Sequence, residues 1–352
     1  MSFLKNKKER NEGKLKINGN KMLVFGDLHI SDTFVGNHKD YLSESFWVLG
    51  RIEKICEEEK PDAIVFLGDL DMGISKRIVL LKFCKFFARL NQLTNGNIFC
   101  VEGNHDMHGN FSVFNFLAGL GYIKIAQDEA VQGYLDMYCG QNAEVPAARF
   151  HLVDYGREKE QLPLLDIEDS NIVFAHNNFS VPGVTTWYQD YDGLELSRLS
   201  SMKDVALIVS GHIHNPSPNV LSVQHIEGTV TSLFYPGCPT RPAKDMQKYD
   251  FVYYVSFTYM ENGDYIDWQA KQFDLLPASE CFIENDLTEK TEEEVAEELR
   301  LNNLSEVLSE IMEYQISGND LVSQIENIPS ASQEAKEIAI TYLKRVSESD
   351  KK

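Results

Sequence analysis

No stretch of the 352-residue sequence approaches the roughly 20 consecutive apolar residues that a membrane-spanning helix needs, so no helical membrane span is expected. The six cysteines (Cys56, Cys84, Cys100, Cys139, Cys238 and Cys281) make no C-x-x-C pair, which argues against a zinc ribbon or a dithiol redox motif. Several sit in apolar stretches, the setting of buried free thiols in a reducing compartment. Residues 1–21 are basic and polar and lack the apolar segment of an export signal. They read as a mobile basic leader, and a cytoplasmic protein is the expectation. There is no long internal repeat and no low-complexity tract.

What is present is ordinary globular composition. At 43% hydrophobic and 25% charged, the chain can build a large core, as one domain with an appendage or as two domains. The formal net charge of −21 is unevenly spread. Residues 284–352 hold 17 acidic and 7 basic residues, whereas residues 1–22 hold 7 basic and 2 acidic. So acidic a chain is a poor non-specific DNA binder, because phosphate neutralisation dominates that affinity. For a nucleic-acid substrate, metals, local basic patches or a partner must supply the attraction.

Five short apolar runs each end in polar residues able to bind a ligand. They are residues 22–25 before Gly-Asp-Leu-His, 63–67 before Gly-Asp, 97–101 before Glu-Gly-Asn-His-Asp, 172–175 before His-Asn-Asn and 205–209 before Ser-Gly-His-Ile-His. Runs of this length, rich in Val, Ile and Phe, read as buried strands. Residues 43–59 carry Phe46, Leu49, Ile52 and Cys56 at helical spacing. Residues 74–93 do so with Ile78, Leu81, Phe86 and Leu90. The alternation implies parallel βαβ units, whose ligands gather at the carboxyl ends of the strands. One strand is expected at 149–153 in the otherwise irregular stretch 128–170. From about residue 229 the pattern turns all-β, at 231–235, 251–259 and 265–273. A hairpin turn is expected at Glu261-Asn262-Gly263-Asp264, and these strands should extend a second sheet. The acidic tail reads as two helices. Thr291 and Glu294 form a capping box before the Leu304, Val307, Leu308, Ile311 stripe. Ala335, Ile338, Ala339, Tyr342, Leu343 and Val346 mark the second.

The strand ends together offer Asp27, His29, Asp69, Asn104, His176, His212 and His214. Mixed carboxylate, amide and imidazole donors suit Mn²⁺, Fe²⁺ or Zn²⁺. Two such ions about 3.5–4 Å apart can clamp a phosphoryl group and activate water. Each element alone is weak. A second Gly-Asn-His, at residues 36–38, follows no strand and reads as a loop copy. Five elements in order, each closing a strand, are far more specific than any one of them. The bland reading, turn residues capping strands, does not account for that order.

The series D-x-H, GD, GNHD, H and GHxH resembles the signature of the calcineurin-like metallophosphoesterases and spans residues 27–214. The resemblance implies an α/β fold, a four-layer α/β/β/α sandwich with two metals at the sheet edge. Its domain here would be residues 22–283, followed by an acidic helical tail at 284–352. By motif match Asp27, His29 and His214 would hold one ion, Asn104, His176 and His212 the other, and Asp69 would bridge. His105 would protonate the leaving oxygen or stabilise the transition state, with Asp106 orienting it. Two divalent ions are implied, Mn²⁺ first, with Mg²⁺, Fe²⁺ or Zn²⁺ as the others.

Within that family the chain is similar to SbcD-type nuclease subunits and related bacteriophage recombination endonuclease subunits. Tyr235-Pro236-Gly237-Cys238-Pro239 resembles their Y-x-G-S-P segment, with Cys for Ser. The resemblance implies a DNA endo- or exonuclease of recombination or repair, which a homodimer would suit. The tail helices would dock on the coiled-coil base of an SMC-like ABC ATPase; self-docking on the core is the other reading. A phage origin would place the protein in the host cytoplasm. Those nucleases carry a His three residues after the bridging Asp, where Met72 stands here. That departure bears on processive exonuclease action more than on metal binding. His108, just past the GNHD motif, reads as a loop residue or as a substitute for that His. The pattern G-D-x-x-D-R-G of phosphoprotein phosphatases is broken, since Asp71 comes one position early and no Arg follows. For DNA contact the cations of interest are Lys76, Arg77, Arg241 and Lys244, each of which also reads as plain surface charge. Two alternatives stay open: a phosphodiesterase of cyclic or small nucleotides, and a non-catalytic scaffold of the same fold.

Overall fold

A computed structural model describes residues 16–32, 38–74, 76–106, 112–125, 134–138, 148–157, 171–180, 194–195, 205–217, 219–224, 230–242, 244–260 and 265–283. The chain divides into two compact units, Met1–Ile283 and Glu284–Lys352. The two tail helices expected from sequence lie outside the described residues, as do His108, Gly36, Asn37 and the turn at 261–264.

In chain order the elements begin with β1 (Lys16–Asn18), β2 (Lys21–Phe25), α1 (Tyr41–Glu59), β3 (Ala63–Phe66), α2 (Arg77–Leu93), β4 (Ile98–Cys100), α3 (Val113–Gly119) and β5 (Lys124–Ile125). Then come β6 (Tyr134–Tyr138), β7 (Ala148–Val153), β8 (Asn171–His176), β9 (Phe179–Ser180), β10 (Leu194–Glu195), β11 (Val205–Gly211), β12 (Leu221–Gln224) and β13 (Val230–Phe234). The series closes with a 3₁₀ turn at Lys244–Lys248, β14 (Phe251–Met260), β15 (Tyr265–Asp274) and α4 (Ala278–Cys281). Two mixed sheets result. One has the order β15-β14-β2-β3-β4-β5, the other β1-β6-β7-β8-β11-β13-β12.

Strand alternation decides which residues face which layer. Met22, Val24, Ala63, Val65, Phe99 and Val101 pack between the sheets against Phe150, Leu152, Phe174, Leu207 and Val209. Their neighbours Leu23, Phe25, Ile64, Phe66, Ile98 and Cys100 point the other way, into a core closed by α1 and α2. Because side chains on a strand alternate with period two, one apolar run serves both cores, and all its residues must be apolar. Among the described residues three layers are thus seen, helices on one sheet and that sheet on the second. No described helix covers the outer face of the seven-stranded sheet.

α1 begins where the Asp40 carboxylate accepts from the Ser43 amide and ends at Lys60 in a left-handed conformation. Its buried stripe is Tyr41, Val48, Leu49, Ile52, Ile55 and Cys56. α2 starts at Arg77 rather than 74, and its buried face is Val79, Phe83, Phe86, Phe87 and Leu90. Two residues assigned to that face by spacing, Ile78 and Leu81, are 60% and 50% exposed. Both faces of this helix carry apolar residues, and the one with three phenylalanines buries the larger area.

The 251–260 and 265–274 strands form the expected hairpin but do not extend the second sheet. β14 pairs antiparallel with β2 through Tyr254 and Phe25, closing the open edge of the first sheet. Only β13, with β12 beside it, joins the second sheet, parallel to β11. Of the described helices, none is long and apolar enough to cross a membrane.

Candidate metal centre

The parallel strands β2, β3, β4, β8 and β11 all release their chains at one edge. Past β2 the backbone keeps pairing with the loop after β3. The Leu28 and His29 amides donate to Asp69 O at 3.0 and 2.8 Å, and Ile30 donates to Leu70 O. His29, Asp69 and His212 have positive φ of 46°, 47° and 75°. Non-glycine residues held there cost about 1–3 kcal/mol each, and such strain collects at functional sites. Gly211 is required by close approach: a Cβ on it would lie 2.2 Å from Asp27 Oδ1 and 2.5 Å from Leu67 O.

Asp27, His29, Asp69 and His214 bring one ligand atom each within 4.8 Å of the others, a candidate metal site. The His29 and His214 rings meet edge to face at 4.6 Å. Asn104, His176 and His212 form a second group beside it. Asn104 Oδ1 lies 3.0 Å from His176 Nε2 and 3.1 Å from His212 Nδ1. Asp69 Oδ2 stands between the groups, 3.4 Å from His29 Nε2 and 3.2 Å from His176 Nε2. His176 Nδ1 donates to Leu67 O at 2.7 Å, which turns Nε2 toward Asn104 and Asp69.

The donor set fits divalent cations. Asp27 Oδ1 and both ring nitrogens of fully buried His29 have no hydrogen-bond partner. Buried polar atoms are ordinarily satisfied, so these carry unmet coordination capacity. The electrostatics agree. Burial, with Asp69 nearby, pushes the Asp27 carboxyl up to about 7 although His176 pulls it down. Burial would lower His176, but Asp27 and Asp69 raise it to about 9. Burial also opposes Asp69, yet His176 and then His29 hold it well below the usual carboxylate range. Burial and the charge of His176 lower His212 to about 4.

The seven residues singled out as metal ligands therefore meet at one place. His105 is half-buried beside them, its ring 5.4 Å from that of His29 and its amide donating to Asp69 Oδ1 at 2.8 Å. Asp106 sits beneath the loop that carries His105. Its carboxylate accepts from the Gly103, Asp69 and Leu70 amides at 2.7, 2.9 and 2.8 Å, locking the Asn104 loop onto the Asp69 loop.

The cations expected to meet DNA fare differently. Lys76 and Arg77 are exposed at the start of α2, and the Lys76 amine reaches Asp32 O at 3.2 Å. Arg241 is fully buried, its guanidinium paired with Glu44 at 2.6 Å and donating to Tyr249 O and Leu276 O. A guanidinium with no exposure and three partners cannot reach a phosphate, so it is no substrate contact. Lys244 lies in the 3₁₀ turn, its side chain outside what is described. His38, from the second Gly-Asn-His, joins the Arg241 cluster, with Nδ1 3.1 Å from Glu44 and Nε2 2.9 Å from Arg241 O. It stands apart from the ligands, as its loop setting implied.

Three residues near the site gave no motif signal. Tyr41 donates to His29 O at 2.8 Å, and Thr240 donates to Leu28 O at 2.7 Å. Tyr155 lies with its ring 5.5 Å from His212 and 6.0 Å from His176. The Thr240 contact had one available cue, its place two residues past Cys238 in the Tyr-Pro-Gly-Cys-Pro segment. That segment braces the site, since the Cys238 amide donates to His214 O at 2.9 Å.

Residues 21–216, more than half of the chain, match the family Metallophos, calcineurin-like phosphoesterase. The chain belongs to this family. As a metal-dependent phosphoesterase it carries the expected candidate Asp/His site. No curated protein matches the sequence. Among solved structures, a dimetal phosphatase from Danio rerio is similar at 14% identity and a TM-score of 0.45, over 72% of this chain and 96% of that one. A purple acid phosphatase from yellow lupin (Lupinus luteus) seeds is similar at 12% identity and a TM-score of 0.38, over 72% of this chain and 52% of that one.

Proposed function

We propose that this phosphoesterase is a two-metal phosphodiesterase acting on DNA, a nuclease subunit for recombination or repair. The observation that carries the two-metal reading is the position of Asp69 Oδ2, within 3.4 Å of a nitrogen of both His29 and His176. In this reading Asp27, His29 and His214 hold one cation, Asn104, His176 and His212 the other, and Asp69 serves both. Bound there, two divalent ions supply charge neutralisation of the phosphoryl group and acidify a water. The chain's own residues do the rest. His105, half-buried beside His29, would be the general acid that gives its proton to the leaving sugar oxygen. Asp106 keeps the Asn104 and Asp69 loops in register through its three amide partners. The segment that resembles Y-x-G-S-P braces His214 through the Cys238 amide, and Thr240 just past it donates to Leu28 O beside His29, which supports the nuclease subclass. Lys76, Arg77 and Lys244 are the remaining DNA contacts, and an SMC-like ATPase is the partner this reading calls for.

One observation favours a second reading, a phosphodiesterase of small nucleotides. With Arg241 buried against Glu44, one cation fewer is open to a long polyanion.

The test is Mn²⁺-dependent cleavage of labelled single-stranded and hairpin DNA beside bis-p-nitrophenyl phosphate, with Asp69→Asn as control. The proposal expects both substrates to be cut. The variant should lose well over the about 100-fold that removal of a mere outer-shell partner costs. Turnover of the small diester with DNA left whole, even when the partner ATPase is added, would hand the case to the small-nucleotide reading.

A further inference from the structure

We infer that Tyr155 is a stacking platform for a nucleobase carried by the phosphoester; this deepens the reading of a nucleotide or nucleic-acid diesterase and rests on it. The residue lies just past β7, at the corner of a tight turn. The Arg157 amide donates to Asp154 O at 3.2 Å and Gly156 has a φ of +74°. A positive φ at the third position with an ordinary second residue is the geometry of a type II turn.

The turn is fixed to the metal edge from two sides. The Tyr155 amide donates to Glu102 O at 2.9 Å, and the Glu102 amide donates to the buried Asp154 carboxylate at 2.9 Å. Glu102 is two residues before Asn104, so the platform is tied to the loop that carries that ligand. The ring approaches His212 at 5.5 Å with a 37° tilt and His176 at 6.0 Å, yet the residue is 45% exposed. A large aromatic side chain so open to solvent, on a backbone anchored beside two ligand candidates, offers ring surface for a planar group next to a bound phosphate. Stacking on such a ring is tolerant of sequence, because every base has a π-face. It also supplies attraction that does not depend on positive charge, which suits a chain of net charge −21.

The experiment compares two competitors of bis-p-nitrophenyl phosphate turnover in Mn²⁺-loaded full-length protein: deoxyadenosine 5′-monophosphate and 2-deoxyribose 5-phosphate. They share the sugar phosphate and differ in the base. In the parent the nucleotide should inhibit about tenfold more tightly, a difference of about 1.4 kcal/mol. Tyr155→Leu should collapse the ratio toward one, and Tyr155→Phe, which keeps the ring, should retain it. A ratio unchanged in Tyr155→Leu, or near one in the parent, overturns the platform. Calorimetric titration of the same two ligands reads the ratio without turnover. An inactive parent would therefore sink the catalytic reading while this comparison still decides the role of Tyr155.

Discussion

His105 and Gly211 separate two kinds of site residue. His105 reaches Asp69 through its backbone, donating to Oδ1, while its half-buried ring lies 5.4 Å from that of His29. His105→Ser should therefore keep its metals and lose about 10²–10⁴-fold in rate. Metal content by atomic emission beside kcat is the check, and a metal-free variant would rule out the acid role. Gly211 contributes no side chain, yet a methyl there would sit 2.2 Å from Asp27 Oδ1. Gly211→Ala is expected to lower Mn²⁺ affinity by displacing the Asp27 carboxylate. Titration with Mn²⁺ should show weakened binding in a protein that still folds.

At the scale of elements, Glu59 ties the end of α1 to two strands. It accepts from Lys21 on β2 at 2.8 Å, and from Lys271 on β15 at 2.7 Å. Burial alone would raise its pKa, but the two lysines outweigh burial and bring it from 4.5 down to about 2. A folded pKa below the unfolded one gives stability that is present above pH 4.5 and lost as pH falls through about 2. Denaturant midpoints between these limits should fall less steeply with acid in Glu59→Gln than in the parent. The magnitude is that of a solvent-screened pair, under about 1 kcal/mol.

For the molecule as a whole, the metal edge is where the two sheets meet, with His29 and Asp69 from one and His176, His212 and His214 from the other. A cation held there binds the folded chain and not the unfolded one, so it must stabilise folding. At a hundredfold excess over its dissociation constant the gain is about 2.7 kcal/mol. Scanning calorimetry should show a lower Tm for the parent in chelator than in Mn²⁺. Asp69→Asn should show little difference between the two conditions, whereas His105→Ser should keep the parent's full shift.

The spacing of apolar runs and the residues that close them determined the βαβ order, the candidate ligand positions and the family, because strand ends and turn residues are local properties. The same is true of α1, whose cap at Asp40 and whose stripe lie within one segment. Spacing could not choose between the two apolar faces of α2, and burial of Phe83, Phe86 and Phe87 decided it. Nor could it assign β14, which reads as an ordinary alternating strand until the open edge of β2 offers it a partner. Arg241 looked like surface charge, since its carboxylate partner Glu44 is 197 positions away. Tyr155 carried no motif at all. Its place beside His212 depends on backbone hydrogen bonds across loops that only the packing of two sheets brings together.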